Sequence, residues 1–171
     1  MASNPETLRS PSTVCVSLLL VAWAPLAAPA ATRGEDASQY VDASDYVQGE
    51  TQIDAWLSLL SALKRDFDEI CGDTFCEGDY SNIESLRYRC SVEQASGRIG
   101  TCVWIFAASD EEIDLATGEI VVMPKFWRCP TPLAPGTTLG ALLAALAGHS
   151  PLYAPLPGSD RSIYDGLIDC L

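Results

Sequence analysis

Positive charge is the scarcest property of this sequence. Its 171 residues include 10 lysines and arginines and a single histidine, against 23 aspartates and glutamates. The formal net charge of -13 excludes a basic face that grips nucleic acid or an anionic membrane, because both depend on neutralising phosphate charge. Catalytic signatures are scarce too. There is no G-x-S-x-G, no H-E-x-x-H, no phosphate loop and no dinucleotide fingerprint. Ser150 follows His149, yet neighbours in sequence do not make a triad and no acid is placed to complete one. No C-x-x-C pair occurs, and His149 alone does not complete a mixed zinc site.

What is present begins with a targeting pattern. Arg9 and the amino terminus precede an apolar run from Val14 to Ala24, about eleven residues, the length of a signal-peptide core and too short for a spanning helix. Ala28-Pro29-Ala30 followed by Ala31 suits the cleavage rule. Residues 1–30 therefore read as a signal peptide, and the expected location is secreted or periplasmic, with no membrane span left after its removal. Six cysteines remain: Cys71, Cys76, Cys90, Cys102, Cys129 and Cys170. An even set in an exported chain predicts three disulfides.

The acids are unevenly placed. Residues 35–80 carry a net charge of -10, with only Lys64 and Arg65 opposing twelve carboxylates. From 31 to 50 there is no apolar period, and this stretch reads as a flexible acidic leader whose sharper role is docking to a cationic protein or ligand. Order is expected from Thr51, as a single disulfide-bonded domain over 51–171. Thr51 and Asp54 form a capping pair, and Ile53, Trp56, Leu57, Leu60, Leu63, Phe67 and Ile70 recur at helical steps until Gly72.

The period then changes to two. Leu86, Tyr88, Cys90 and Val92 alternate with polar residues, and after Ala95-Ser96-Gly97 a second strand runs from Arg98 to about Ala107. That hairpin sets Cys90 opposite Cys102, Tyr88 opposite Trp104 and Leu86 opposite Phe106, which brings the first pair within disulfide reach. Ser109 to Glu112 reads as a solvated acidic patch. Glu119 to Arg128 forms a third strand in which Pro124 implies an edge or a bulge. Thr138 caps a short helix from Leu139, and Ser162 to Asp169 makes a final turn or two. Cys170 is expected to tie the terminus to Cys129, leaving Cys71 for Cys76. The predicted fold is α+β: an N-terminal amphipathic helix packed on a three- to four-stranded antiparallel sheet, followed by two short helices and stapled by disulfides.

One constellation has the spacing of a calcium loop. Counting from Asp73, Glu77 falls at position five, Gly78 at six, Asp79 at seven, Ser81 at nine and Glu84 at twelve, an arrangement of hard oxygens around a glycine turn. Phe75 at the third position and a following strand rather than a helix depart from the pattern. Calcium is thus the one cofactor the sequence suggests, through Asp73, Glu77, Asp79, Ser81 and Glu84. The expected function is an exported, non-catalytic binding or interaction module. The alternative is an extracytoplasmic hydrolase using two carboxylates beside an aromatic wall drawn from Tyr88, Trp104, Phe126 and Trp127.

Overall fold

The computed structural model describes residues 39–171, so the expected signal peptide and the first part of the expected leader lie outside the described residues. Strands β1 (Tyr40–Asp42), β2 (Glu84–Glu93), β3 (Ile99–Ile113) and β4 (Ile120–Pro130) form one antiparallel sheet in sequential order. Helices α1 (Ala43–Tyr46) and α2 (Glu50–Cys71) lie between β1 and β2, and α3 (Leu139–Ala145) and α4 (Ile163–Ile168) follow β4. The arrangement is α+β. Three disulfides join Cys71 to Cys76, Cys90 to Cys102 and Cys129 to Cys170, with Cα separations of 5.1, 4.0 and 5.4 Å. Among the described residues, no helix is long and apolar enough to cross a membrane.

Helix α2 buries Trp56, Leu59, Leu63 and Phe67. The Phe67 ring lies 4.7 Å from that of Phe106 and 5.8 Å from that of Trp104, while Trp56 meets Tyr88 at 6.2 Å. Alternation on β2 and β3 supplies the other half of the core, with Tyr88, Cys90, Val92, Cys102, Trp104 and Phe106 all buried. The helical stripe is turned slightly from the expected one: Leu59 is inside, whereas Ile53 and Leu57 are exposed. The Thr51–Asp54 capping pair is not formed either, because the helix starts earlier, from Gly49 at φ 75°. At the other end Gly72 stays right-handed at φ -63°. The chain goes on coiling there, with Thr74 Oγ1 donating to the Ile70 carbonyl at 2.6 Å and the Cys76 N–H donating to that of Cys71 at 2.7 Å.

Two expectations are corrected by the register. Residues 40–47, expected to belong to a flexible leader, are structured: β1 pairs with the end of β2, and Asp42 caps α1 by accepting from the Ser44 N–H at 2.9 Å. Ala43 and Val47 are buried, and the Trp56 indole donates to Ser44 Oγ at 3.1 Å. Elements of three and four residues are too short to display a period, which is why the sequence pattern hides them. In the β2–β3 hairpin, Cys90 faces Cys102 and Tyr88 faces Trp104 as expected, but Phe106 faces Ser85. Leu86 is the extra residue of a β-bulge and points to solvent. The Trp104 indole holds the shifted register by donating to Ser85 Oγ at 2.9 Å.

Candidate interaction surface

Strand β3 reads Val103-Trp104-Ile105-Phe106-Ala107-Ala108, apolar at every position. A strand that shows apolar side chains to both faces is normally covered on both. Here α2 and its neighbours cover one face, the side of Trp104 and Phe106. The opposite, outer face carries Val103, Ile105 and Ala107. Register continues this surface into its neighbours. Ile105 lies between Arg87 of β2 and Arg128 of β4, Val103 between Arg89 and Pro130, and Ala107 beside Phe126, which is 67% exposed. Two strand spacings separate Arg87 from Arg128, about 10 Å.

A shallow hollow of about 450 Å³ opens on this face, walled by Arg89 and Arg128 over Val41, Val103 and Ile105. Arg89 is held by Asp42 at 2.5 Å. Burial alone would raise the Asp42 pKa, but hydrogen bonds from Ser44 and the Arg89 guanidinium outweigh it, and the carboxyl sits below its ordinary value. Among the described residues, neither the Arg87 nor the Arg128 guanidinium has an ion-pair or hydrogen-bond partner.

Beyond Ala107, where β2 ends, β3 and β4 continue alone as a two-stranded arm to the Ile113–Ile120 pair. At about 3.4 Å per residue this arm extends roughly 20 Å. Ser109 to Glu112, expected to be a solvated patch between strands, is part of β3. The arm is acidic and apolar together: Asp110, Glu111, Glu112, Asp114 and Glu119 accompany Ile113, Ile120 and Val122, and no lysine or arginine occurs from 99 to 124. Its base is pinned where Asn82 both donates to Ser109 Oγ and accepts from the Ser109 N–H, each at 3.1 Å. Its tip is a turn in which Asp114 accepts from the N–H groups of Thr117 and Ala116, bonds that hold its carboxyl below the ordinary pKa.

The free edge of the sheet can be phased from two bonds. The Thr131 N–H donates to the Cys102 carbonyl at 2.9 Å, and the Asp114 N–H donates to that of Glu119 at 2.8 Å. Alternation between them turns the backbone of Val121, Met123, Lys125, Trp127 and Cys129 toward β3, and that of Ile120, Val122, Pro124, Phe126 and Arg128 outward. Pro124 thus sits where a missing N–H costs no ladder bond and blunts the edge against strand pairing.

The residues proposed for calcium do not converge. Asp73, Glu77, Asp79, Ser81 and Glu84 are all exposed, and Glu84 opens β2 opposite Ala107, 4.0 Å from Lys64 Nζ. Gly78 does not adopt the left-handed conformation of a calcium-loop turn. Among the described residues, no group of three or more His, Cys, Asp or Glu side chains is arranged to hold a metal. The aromatic wall expected of a hydrolase is also divided. Tyr88, Trp104 and Trp127 are buried in the core, whereas Phe126 projects from the other face. A cleft of about 320 Å³ that reaches Tyr88 and Trp104 is flanked by Lys64 and Arg87 rather than by acids.

The outer face has a signal in the sequence, the apolar run of β3. Six consecutive apolar residues on β3 predict a cover on both sides, and only one cover is supplied by the described elements. The chain matches no family model, no curated protein and no solved structure at a significant level.

Proposed function

We propose that the protein is an exported, non-catalytic interaction module that binds a partner on the outer face of its sheet and along the β3–β4 arm. The observation that carries this is the apolar surface that runs from half-buried Val103 and Ile105 through exposed Phe126 to exposed Val122 and Ile120, with the unpaired Arg87 and Arg128 at one end and Glu111 in the arm. Scattered exposed apolar residues need no explanation, but a contiguous patch with a charged rim is the composition of a docking site. The surface is two-signed: the arm suits a cationic partner segment, and the Arg87–Ile105–Arg128 row suits an acidic one. Export supplies the setting in which three disulfides persist.

Site-specific photocrosslinking tests the reading. A photoreactive phenylalanine placed at Phe126 should give discrete adducts on the oxidised protein in its own envelope fraction. The same group at Gln52, on the exposed side of α2, should not. Equal labelling from both positions, or none from Phe126, would remove the outer face as the binding surface.

A further inference from the structure

We infer that the cleft between α2 and the start of β2 binds a small phosphate or sulfate monoester, at a site distinct from the outer face. The cleft, about 320 Å³, lies where the β1 ladder has stopped at the Asp42–Ser91 pair and the first half of β2 has no strand on that side. The β-bulge furnishes it. Leu86 is 55% exposed, while Ser85 turns inward beside Phe106 and Trp104. Placing serine inside and leucine outside gives up apolar burial, and such a departure from the alternating pattern is expected where a fold serves a site. Bulges recur beside functional sites because they re-aim a side chain.

The donors define the ligand. Ser85 Oγ accepts the Trp104 indole N–H at 2.9 Å, which holds the oxygen from the core side and leaves its own O–H for the cleft. Ser61 lines the α2 wall, and among the described residues its hydroxyl has no hydrogen-bond partner. Lys64 stands three residues further along the same side of α2, and Arg87 reaches the rim from β2 with no ion-pair partner among the described residues. Asp68 and Glu84 hold Lys64 only from outside the cleft, at 3.4 and 4.0 Å, in exposed pairs that contribute little. At the α1 end, Ser44 is taken up by Trp56 and Asp42, which confines the anion to the Ser85 end. Although the chain has a net charge of -13, no carboxylate lines this cleft. Two hydroxyls, an ammonium and a planar guanidinium suit the three terminal oxygens of a phosphate or sulfate ester better than the two of a carboxylate. Half-buried Leu60 and exposed Leu86 give the organic group of the ester an apolar wall.

Isothermal titration of the purified oxidised protein with phenyl phosphate and phenyl sulfate tests the site, with benzoate and phenol as comparisons. The expected result is one saturable site for at least one of the two esters, roughly tenfold or more tighter than for benzoate or phenol. Arg87→Gln and Ser61→Ala, both at exposed positions, should each weaken it by roughly tenfold, the usual contribution of one hydrogen bond to a charged group. Ser58→Ala, one turn earlier on α2 and lining a different groove, should leave it unchanged. Unchanged melting temperatures would show that the variants fold. No saturation at millimolar ester, benzoate binding as tightly as the esters, or an affinity indifferent to both Arg87→Gln and Ser61→Ala overturns the proposal. An affinity lost in Arg128→Gln but kept in Ser61→Ala would move the anion to the outer face and overturn it as well. The docking reading is tested separately by the photoreactive group at Phe126 and stands or falls without this site.

Discussion

The hydroxyl of Tyr88 lies 2.9 Å from that of Thr131, buried beneath the sheet and 43 residues away in sequence. The bond joins the second strand to the segment leaving the fourth, across β3 and away from the outer surface. Burial also pushes the Tyr88 phenol well above its ordinary pKa, and the bond to Thr131 offsets this only in part. Tyr88→Phe should cost about 1 kcal/mol in urea unfolding, the net worth of one neutral hydrogen bond. The alkaline side gives a second readout. A raised pKa means stability that is complete below about 10, where the unfolded phenol titrates, and is lost as pH rises above it. Tyr88→Phe should flatten that loss, and an unchanged alkaline limb would place its origin elsewhere.

Asp42 gives the opposite sign. Its carboxyl is held below the ordinary value, so its contribution is present above about 4 and is lost as pH falls through the folded-state pKa. Asp42→Asn keeps a capping oxygen for Ser44 but loses the ion pair with Arg89. Asp42→Ala loses both and should cost about 1 kcal/mol more, the usual worth of an N-cap. Only the variants should lack the acid-side decline that Asp42 causes. Urea unfolding at two pH values, above and below 4, separates the contributions.

The bridge between Cys90 and Cys102 is buried on the core face and closes a short loop. For a loop of about 13 residues the chain-entropy model gives roughly 3 kcal/mol. Replacing both cysteines by alanine should lower stability on that scale. Phe126→Asp, on the other face, should leave it nearly unchanged. Denaturant midpoints of the two variants make the comparison, and a reversed order would contradict the assignment of faces.

For the loop from Asp73 to Glu84, adding millimolar calcium to chelator-treated protein should leave the melting temperature unchanged. A native site would raise it by mass action. The Cys71–Cys76 bridge, the conformation of Gly78 and the engagement of Glu84 in β2 all hold the candidate oxygens in a different arrangement. A calcium-dependent rise abolished by Glu84→Gln would show that the loop rearranges to bind.

These features were unequally legible in the sequence. Cys90 and Cys102 could be paired because a glycine-ended turn fixes hairpin register, and Gly97 does adopt the required positive φ of 71°. The bulge at Leu86 could not be read, since Leu fits the alternating pattern better than Ser85 does; only the bond from the Trp104 indole reveals why Ser85 turns inward. The acids of 109–112 disguised the continuation of β3, because in a two-stranded arm neither face must be apolar. The calcium spacing is a pattern of residue types, and whether its glycine turns as a calcium loop does is a matter of backbone conformation: Gly78 is not among the glycines with positive φ. For the outer face, the apolar run of β3 carries the information, but the alternation of Cys102, Trp104 and Phe106 is already satisfied by a helix on one side.

Gly166 offers a test of how the last helix is held. It is buried in α4, and a Cβ there would lie 2.8 Å from the Pro130 carbonyl oxygen and 2.9 Å from Pro132 Cδ. Both obstacles belong to backbone or to a proline ring, so neither can swing aside as a flexible side chain would. The helix has little freedom to retreat: Ser162 and Asp165 close a capping box at its start, and Cys170 is bonded to Cys129 just beyond its end. Gly166→Ala should therefore cost roughly 1–3 kcal/mol through overpacking, despite the better helix propensity of alanine. Gly140→Ala is the control, because the corresponding Cβ in α3 meets nothing within 4 Å. There alanine should stabilise by up to about 1 kcal/mol. Thermal unfolding of the two variants should move in opposite directions, and a stabilised Gly166→Ala protein would show that α4 is not seated against Pro130.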